Sequence, residues 1–221
     1  MRVLRFMRET PCAVLLAVQM LGVLLYPFLD ESFEGRQLFA LFGLVVLGLA
    51  VYAVRATPGV TWVAGTMAVP AVALLVVQVA TGEEGLAPWA SGFEAALYFY
   101  AASAMLRYML DDEHVTTDEL FAIGAVFTLV AWAFAHLYVV IQALDPGSFT
   151  AAVAPEDART WTELLFLSFT TLSSTGLSDI LPITGHSRSV VMLEQVAGLF
   201  YIAMVVTRLV ALNSARKRPV D

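Results

Sequence analysis

Residues Thr171 to Asp179 read Thr-Leu-Ser-Ser-Thr-Gly-Leu-Ser-Asp: hydroxyl side chains around one glycine, closed by a carboxylate. Carbonyl and hydroxyl oxygens stacked along such a strand can replace the water shell of a cation. The flanking stretches give the run its setting. Thr160 to Leu172 predicts a helix too short to cross a bilayer, and Ser187 to Leu212 predicts one long enough. Non-helical backbone at membrane depth survives where protein buries it or where it lines a watery path. The layout is therefore that of a re-entrant loop. The bland alternative is a serine-rich surface turn.

These residues resemble the pore module of tetrameric potassium channels, whose filter reads Thr-Val-Gly-Tyr-Gly-Asp after a Thr-Leu-Thr lead-in. Thr171 and Leu172 match the lead-in, and Ser173 exchanges one hydroxyl for another. Ser174 stands at the filter threonine, Thr175 at the valine and Gly176 at the first glycine. Leu177 replaces the tyrosine, Ser178 replaces the second glycine, and Asp179 matches the closing aspartate. The resemblance extends to Asp145-Pro146-Gly147-Ser148-Phe149, similar to the turret of bacterial members, and along an inner helix through Arg188-Ser189, Leu193-Glu194, Gly198 and Arg208-Leu209-Val210. It covers roughly Phe121 to Leu212.

The resemblance implies ion-binding rings from Ser174, Thr175, Gly176, Leu177 and Ser178, with Ser174 hydroxyls innermost. Thr170, Asp179 and Glu194 are the expected supports. Glu194 lies about 12 Å along its helix at 1.5 Å per residue, deep enough to brace a hydroxyl such as that of Thr170. Gly198 resembles a gating hinge, or else marks a close helix crossing. Ile202, Val206 and Val210 share a face and would narrow the inner pore. Carbonyls all turn inward when the backbone alternates in hand. Gly176 does this freely, whereas a left-handed Ser178 costs roughly 1–2 kcal/mol. The strain is therefore expected at Ser178, and Leu177 lacks the bracing hydroxyl of tyrosine.

Long apolar segments must position these residues. Of the 221 residues, 59% are hydrophobic and 14% charged, which describes an integral membrane protein. A net charge of -7 does not suit a nucleic-acid binder. The single cysteine, Cys12, excludes an intrachain disulfide and reads as a reduced thiol. Apolar windows predict spans at Pro11 to Leu29, Gln37 to Val54, Val60 to Ala80, Pro88 to Leu110, Leu120 to Leu144 and Ser187 to Leu212. The first is read as an uncleaved span, because no Ala-x-Ala site follows it. Pro27 and Pro70 are expected kinks.

Arg2, Arg5, Arg8, Arg55, Arg107, Arg216, Lys217 and Arg218 fall on one side if both termini are cytosolic. Span four carries Arg107 as its single basic residue, too little charge for steep voltage sensing. Glu94 is an intramembrane acid, hence a functional candidate, although it could simply reach outer water. His136 reads as a packing histidine. The acidic linker Asp111 to Glu119 reads as a solvated turn with Thr117 or Asp118 capping span five; the alternative is a divalent-cation or proton sensor.

The expected fold is an all-α membrane protein: six transmembrane helices, with a re-entrant pore helix and filter between helices five and six. Residues 1–117 would form a four-helix periphery and 118–221 the pore domain. A ring of carbonyls needs several copies of a one-loop chain, and the resemblance to tetrameric channels implies four, a homotetramer. The expected function is passive cation conduction in the cell membrane, with potassium as the permeant ion and sodium as a second candidate, and no cofactor. The expected partners are further copies of the chain, lipid and monovalent cations, with no nucleic acid. Alternatives are a weakly selective channel and a non-conducting scaffold or auxiliary subunit. No His-Glu-x-x-His, no Gly-x-Ser-x-Gly and no paired intramembrane acids support an enzyme.

Overall fold

The computed structural model describes residues 10–29, 33–53, 58–81, 84–111 and 116–216. The N-terminal arginines, Arg55, residues 112–115 of the acidic linker and the basic pair Lys217 and Arg218 lie outside the described residues. The chain is mostly helical: α1 (Pro11–Leu29), α2 (Phe33–Ala53), α3 (Pro58–Thr81), α4 (Ala87–Asp111), α5 (Thr117–Leu144), α6 (Trp161–Leu172) and α7 (Gly185–Arg216). A single turn of 3-10 helix, Glu84–Leu86, precedes α4, and Pro27 and Pro70 lie inside α1 and α3. Among the described residues, α1, α5 and the stretch Gly185–Val210 of α7 are long and apolar enough to cross a membrane.

α5 is the central helix, packing on α1, α4, α6 and α7. Its core holds Leu129 and Trp132, packed with Leu15 of α1 and with Leu97, Tyr98 and Met105 of α4. Between helices in a bilayer such packing is held by van der Waals fit of these side chains rather than by transfer from water. α1 approaches α5 closely at Gly124, where a Cβ would fall 2.9 Å from Leu16 Cδ2 and would need that side chain to shift. A second cluster lies against α6 and includes Tyr138, Phe149, Leu164, Leu167, Ile180 and Val191.

The start of α5 corrects one expectation. The N-cap is Thr116, whose hydroxyl accepts from Glu119 N at 3.2 Å, rather than Thr117 or Asp118. Asp118 is instead spent on α1, where its Oδ1 accepts from Cys12 N at 2.9 Å. That bond satisfies one of the orphan donors of the α1 start.

Candidate functional site

The loop between α5 and α6 sets the entry to the site. Asp145, Pro146, Gly147 and Ser148 form a turn closed by Ser148 N donating to Asp145 O at 3.1 Å, with Gly147 at φ 78°. Proline at the second position and a left-handed glycine at the third define a type II turn. Phe149–Thr150 (β1) then pairs antiparallel with Leu181–Pro182 (β2) beyond the site, Phe149 opposite Pro182. Ser187 Oγ and Ile183 N both donate to Ser148 O, at 2.9 Å each, so the loops before and after the site are tied together.

Arg159, just before α6, is an internal brace. It is buried, and its guanidinium donates to the carbonyls of Val153, Ala154 and Asp157 and to Glu163 Oε1. Its backbone exchanges bonds with the Gln142 amide, Arg159 N to Oε1 at 2.7 Å and Nε2 to Arg159 O at 2.9 Å. Next to it α6 opens on a full capping box, with Glu163 N donating to Thr160 Oγ1 at 3.3 Å and Thr160 N to Glu163 Oε2 at 2.7 Å. Two orphan donors are thus satisfied, and the short helix gains a fixed start.

The far end of α6 shapes the candidate loop. Ser173 is the C-cap, and Ser174 follows in the left-handed region at φ 59°. Ser174 N donates to Thr171 O and Thr175 N to Thr170 O, both at 3.0 Å. This is the Schellman arrangement, built here on serine where glycine is usual. The Thr170 carbonyl also accepts from Gly176 N at 3.1 Å and from Thr175 Oγ1 at 3.3 Å. Thr170 therefore holds the loop through its main chain, while its hydroxyl donates to Leu167 O at 2.9 Å.

The expected strain at Ser178 is corrected. Among the described residues, the non-glycine positions with positive φ are Ala154 and Ser174; in the loop the second left-handed residue is Gly176, at φ 65°. Ser178 is not strained, and its Oγ accepts from Ile180 N at 3.0 Å. The alternation of hand thus falls at 174 and 176, two residues earlier than expected, because the cap of α6 demands a left-handed residue as soon as the helix ends.

Residues 174–177 are exposed, Leu177 by 79%. Among the described residues, the carbonyls of 174–178 accept no hydrogen bond and the Ser174 hydroxyl has no partner. Asp179 is exposed as well. A run of main-chain oxygens without internal partners needs water, a cation or another chain to satisfy it.

Glu194 sits behind α6 and is 0% exposed. Its carboxyl is met by the Tyr138 hydroxyl of α5 and the Ser168 hydroxyl of α6. The partner on α6 is thus Ser168 rather than the Thr170 hydroxyl expected from the sequence. Ser168 Oγ also lies 2.8 Å from Ala131 O, so three helices meet at one carboxyl. Gly198, one turn on, faces the end of α6. A Cβ there would lie 2.1 Å from Leu172 O, so the glycine serves a close helix crossing. Ile202, Val206 and Val210 follow on α7, all exposed in the single chain and spaced for one face.

Two further contacts carried no clear sequence signal. Glu94, read as a functional candidate or as an acid reaching outer water, is buried, and its Oε2 lies 3.1 Å from His136 Nδ1. Glu119, at the start of α5, is buried and lies 3.7 Å from Arg208 of α7, whose Nη1 reaches Leu110 O at 3.4 Å. Spacing within one helix reveals neither pair, because the partners are 42 and 89 residues apart.

Residues 123–214 match a family model described as Ion channel. No curated protein and no solved structure matches the chain. The matched segment runs from the second turn of α5 nearly to the end of α7 and takes in α6 and the loop that follows it. Residues 123–214 are thus similar to an ion-channel pore module, which points to a transport role rather than an enzymatic one.

Proposed function

We propose that four copies of this chain surround a passive cation path that prefers potassium. The observation that carries this reading is the run of unpartnered carbonyls at 174–178, held between α6 and β2 inside the channel segment. Left-handed residues at 174 and 176, with Thr175 between them, are the pattern that turns successive carbonyls to one side. The Ser174 hydroxyl and the carbonyls of Ser174, Thr175, Gly176 and Leu177 would replace the water shell of the ion. Ser178 marks the outer end of the run, and Asp179 closes it. Thr170 would support the loop through its carbonyl and Glu194 through Ser168.

One loop supplies a quarter of each ring, hence the tetramer. Ile202, Val206 and Val210 would line the inner path, and the apolar outer faces would meet lipid. In this reading α1, α2, α3 and α4 all span the cell membrane as a periphery of residues 1–117, residues 118–221 form the pore, and both termini are cytosolic. No cofactor takes part.

A weakly selective channel is the second reading. It is favoured by the end of the alternation at Gly176, which leaves Leu177 and Ser178 outside the ordered run. Purified protein reconstituted into liposomes tests the proposal. Potassium flux exceeding sodium flux, from a particle of four chains, is expected. Equal fluxes would favour the weakly selective reading, and a monomer without flux would favour a scaffold.

A further inference from the structure

Two titratable side chains meet between α4 and α5, away from the 173–179 loop. Glu94 Oε2 and His136 Nδ1 are 3.1 Å apart, and the two side chains are 11% and 13% exposed. The distance is that of an ion pair, yet Nδ1 makes no hydrogen bond in this geometry. A proton on the ring would turn this close contact into an ion pair, because imidazole is charged only when both ring nitrogens carry protons. Without that proton a buried carboxylate faces a neutral ring; with it the two form a buried salt bridge. The contact is conditional on one proton.

The surroundings connect this contact to α6. From α4, Tyr98 stacks on the His136 ring at 5.5 Å and 17°, and its hydroxyl donates to Gly43 O of α2 at 3.1 Å. From α6, Trp161 meets the same ring at 5.5 Å. Trp161 in turn packs on Tyr26 of α1 at 5.2 Å and edge-on to Trp132 of α5 at 5.5 Å. The charged groups at this end of α6, Arg159 and Glu163, pair with each other at 3.3 Å. Among the described residues, no further charged group pairs with Glu94 or His136. Trp161 is the first residue of α6, whose other end carries the Ser173–Ser174 cap. A twelve-residue helix moves as one rod of about 18 Å, so a shift at Trp161 is felt at the loop.

We propose that Glu94 and His136 form a proton-binding site that couples α4 to the start of α6, so that its occupancy changes ion passage at the other end of that helix. The ligand is a proton taken from water at the α4–α5 seam. It adds to the imidazole, and no other bond is made or broken. The binding site rests on its own geometry, whereas the effect on passage rests on the channel reading above.

Indole fluorescence of the full chain in lipid nanodiscs tests the site without ion flow, because an imidazolium beside Trp161 quenches the indole. Acidification from about pH 8 to about pH 5 is expected to quench the native protein reversibly. The quench is expected to be lost in His136→Gln and to shrink in Trp161→Phe. Glu94→Gln is expected to need at least about tenfold more protons for the same quench, the scale of one nearby opposite charge. No quench in the native protein, or a midpoint unmoved by Glu94→Gln, overturns the site even if His136→Gln fails to fold. Ion flux from liposomes of the same preparations tests the coupling. A pH response of flux present in the native protein and lost in Glu94→Gln supports it; a quench without any pH response of flux overturns it. A preparation that conducts under no condition sinks the channel reading, while the fluorescence still decides the proton site.

Discussion

Gly198 of α7 lies against the carbonyl of Leu172, the last residue of α6. A Cβ at position 198 would fall 2.1 Å from that oxygen. The two helices therefore touch main chain to main chain where the candidate loop begins. Gly198→Ala is expected to lower the thermal midpoint of the purified protein, at a cost of about 1–3 kcal/mol for overpacking. Were the glycine merely a flexible point, alanine would stabilise the helix by up to about 1 kcal/mol. A raised midpoint would contradict the crossing.

Ser174 at φ 59° carries the backbone strain of the loop. Ser174→Gly is expected to stabilise the fold by about 1–2 kcal/mol per chain, because glycine pays no Cβ penalty there. Ser178→Gly is expected to give no such gain. Chemical denaturation of both variants checks the pair. A larger gain at 178 than at 174 would place the left-handed residue where the filter resemblance implies it.

The Glu194 carboxyl accepts from Tyr138 and Ser168 in a fully buried setting. Glu194→Ala strands the buried Tyr138 hydroxyl and is expected to cost about 1–3 kcal/mol, while Ser168 Oγ keeps the Ala131 carbonyl 2.8 Å away. Tyr138→Phe should then cost less in the Glu194→Ala background than in the native protein. Equal costs in a double-mutant cycle would show that the two side chains do not interact.

Arg208 and Glu119 join α7 to the start of α5 at 3.7 Å. Arg208→Glu is expected to destabilise that end of the bundle, with part of the loss returned by Glu119→Arg. A coupling of about 0.5–3 kcal/mol is the scale for neighbours of this kind. An additive pair of reversals would remove the bridge from the account.

Much of the fold is legible in the sequence because burial in a membrane leaves a coarse signal. Pro11 to Leu29 is helical over the expected span, and α6 ends at Leu172, where the hydroxyl run begins. The glycine at 198 and the carboxyl at 194 are conspicuous because neither belongs in an apolar helix without a reason. What the sequence hid is pairing. Nothing in α4 alone says that Glu94 meets His136, and nothing in α6 says that Ser168 rather than Thr170 meets Glu194. The position of the strain differs from the expectation for a local reason. The resemblance places it at the missing second glycine, whereas the cap of α6 needs a left-handed residue at Ser174. Thr116 was missed as the cap of α5 because three polar residues in a row can each serve.

A reversal potential under bi-ionic conditions, with potassium on one side of a bilayer and sodium on the other, measures the potassium preference itself. Current through the reconstituted chain is expected to reverse at a potential displaced toward that of potassium. Reversal at zero, or the absence of current from protein shown to be folded, would contradict a potassium-preferring path built on residues 174–178.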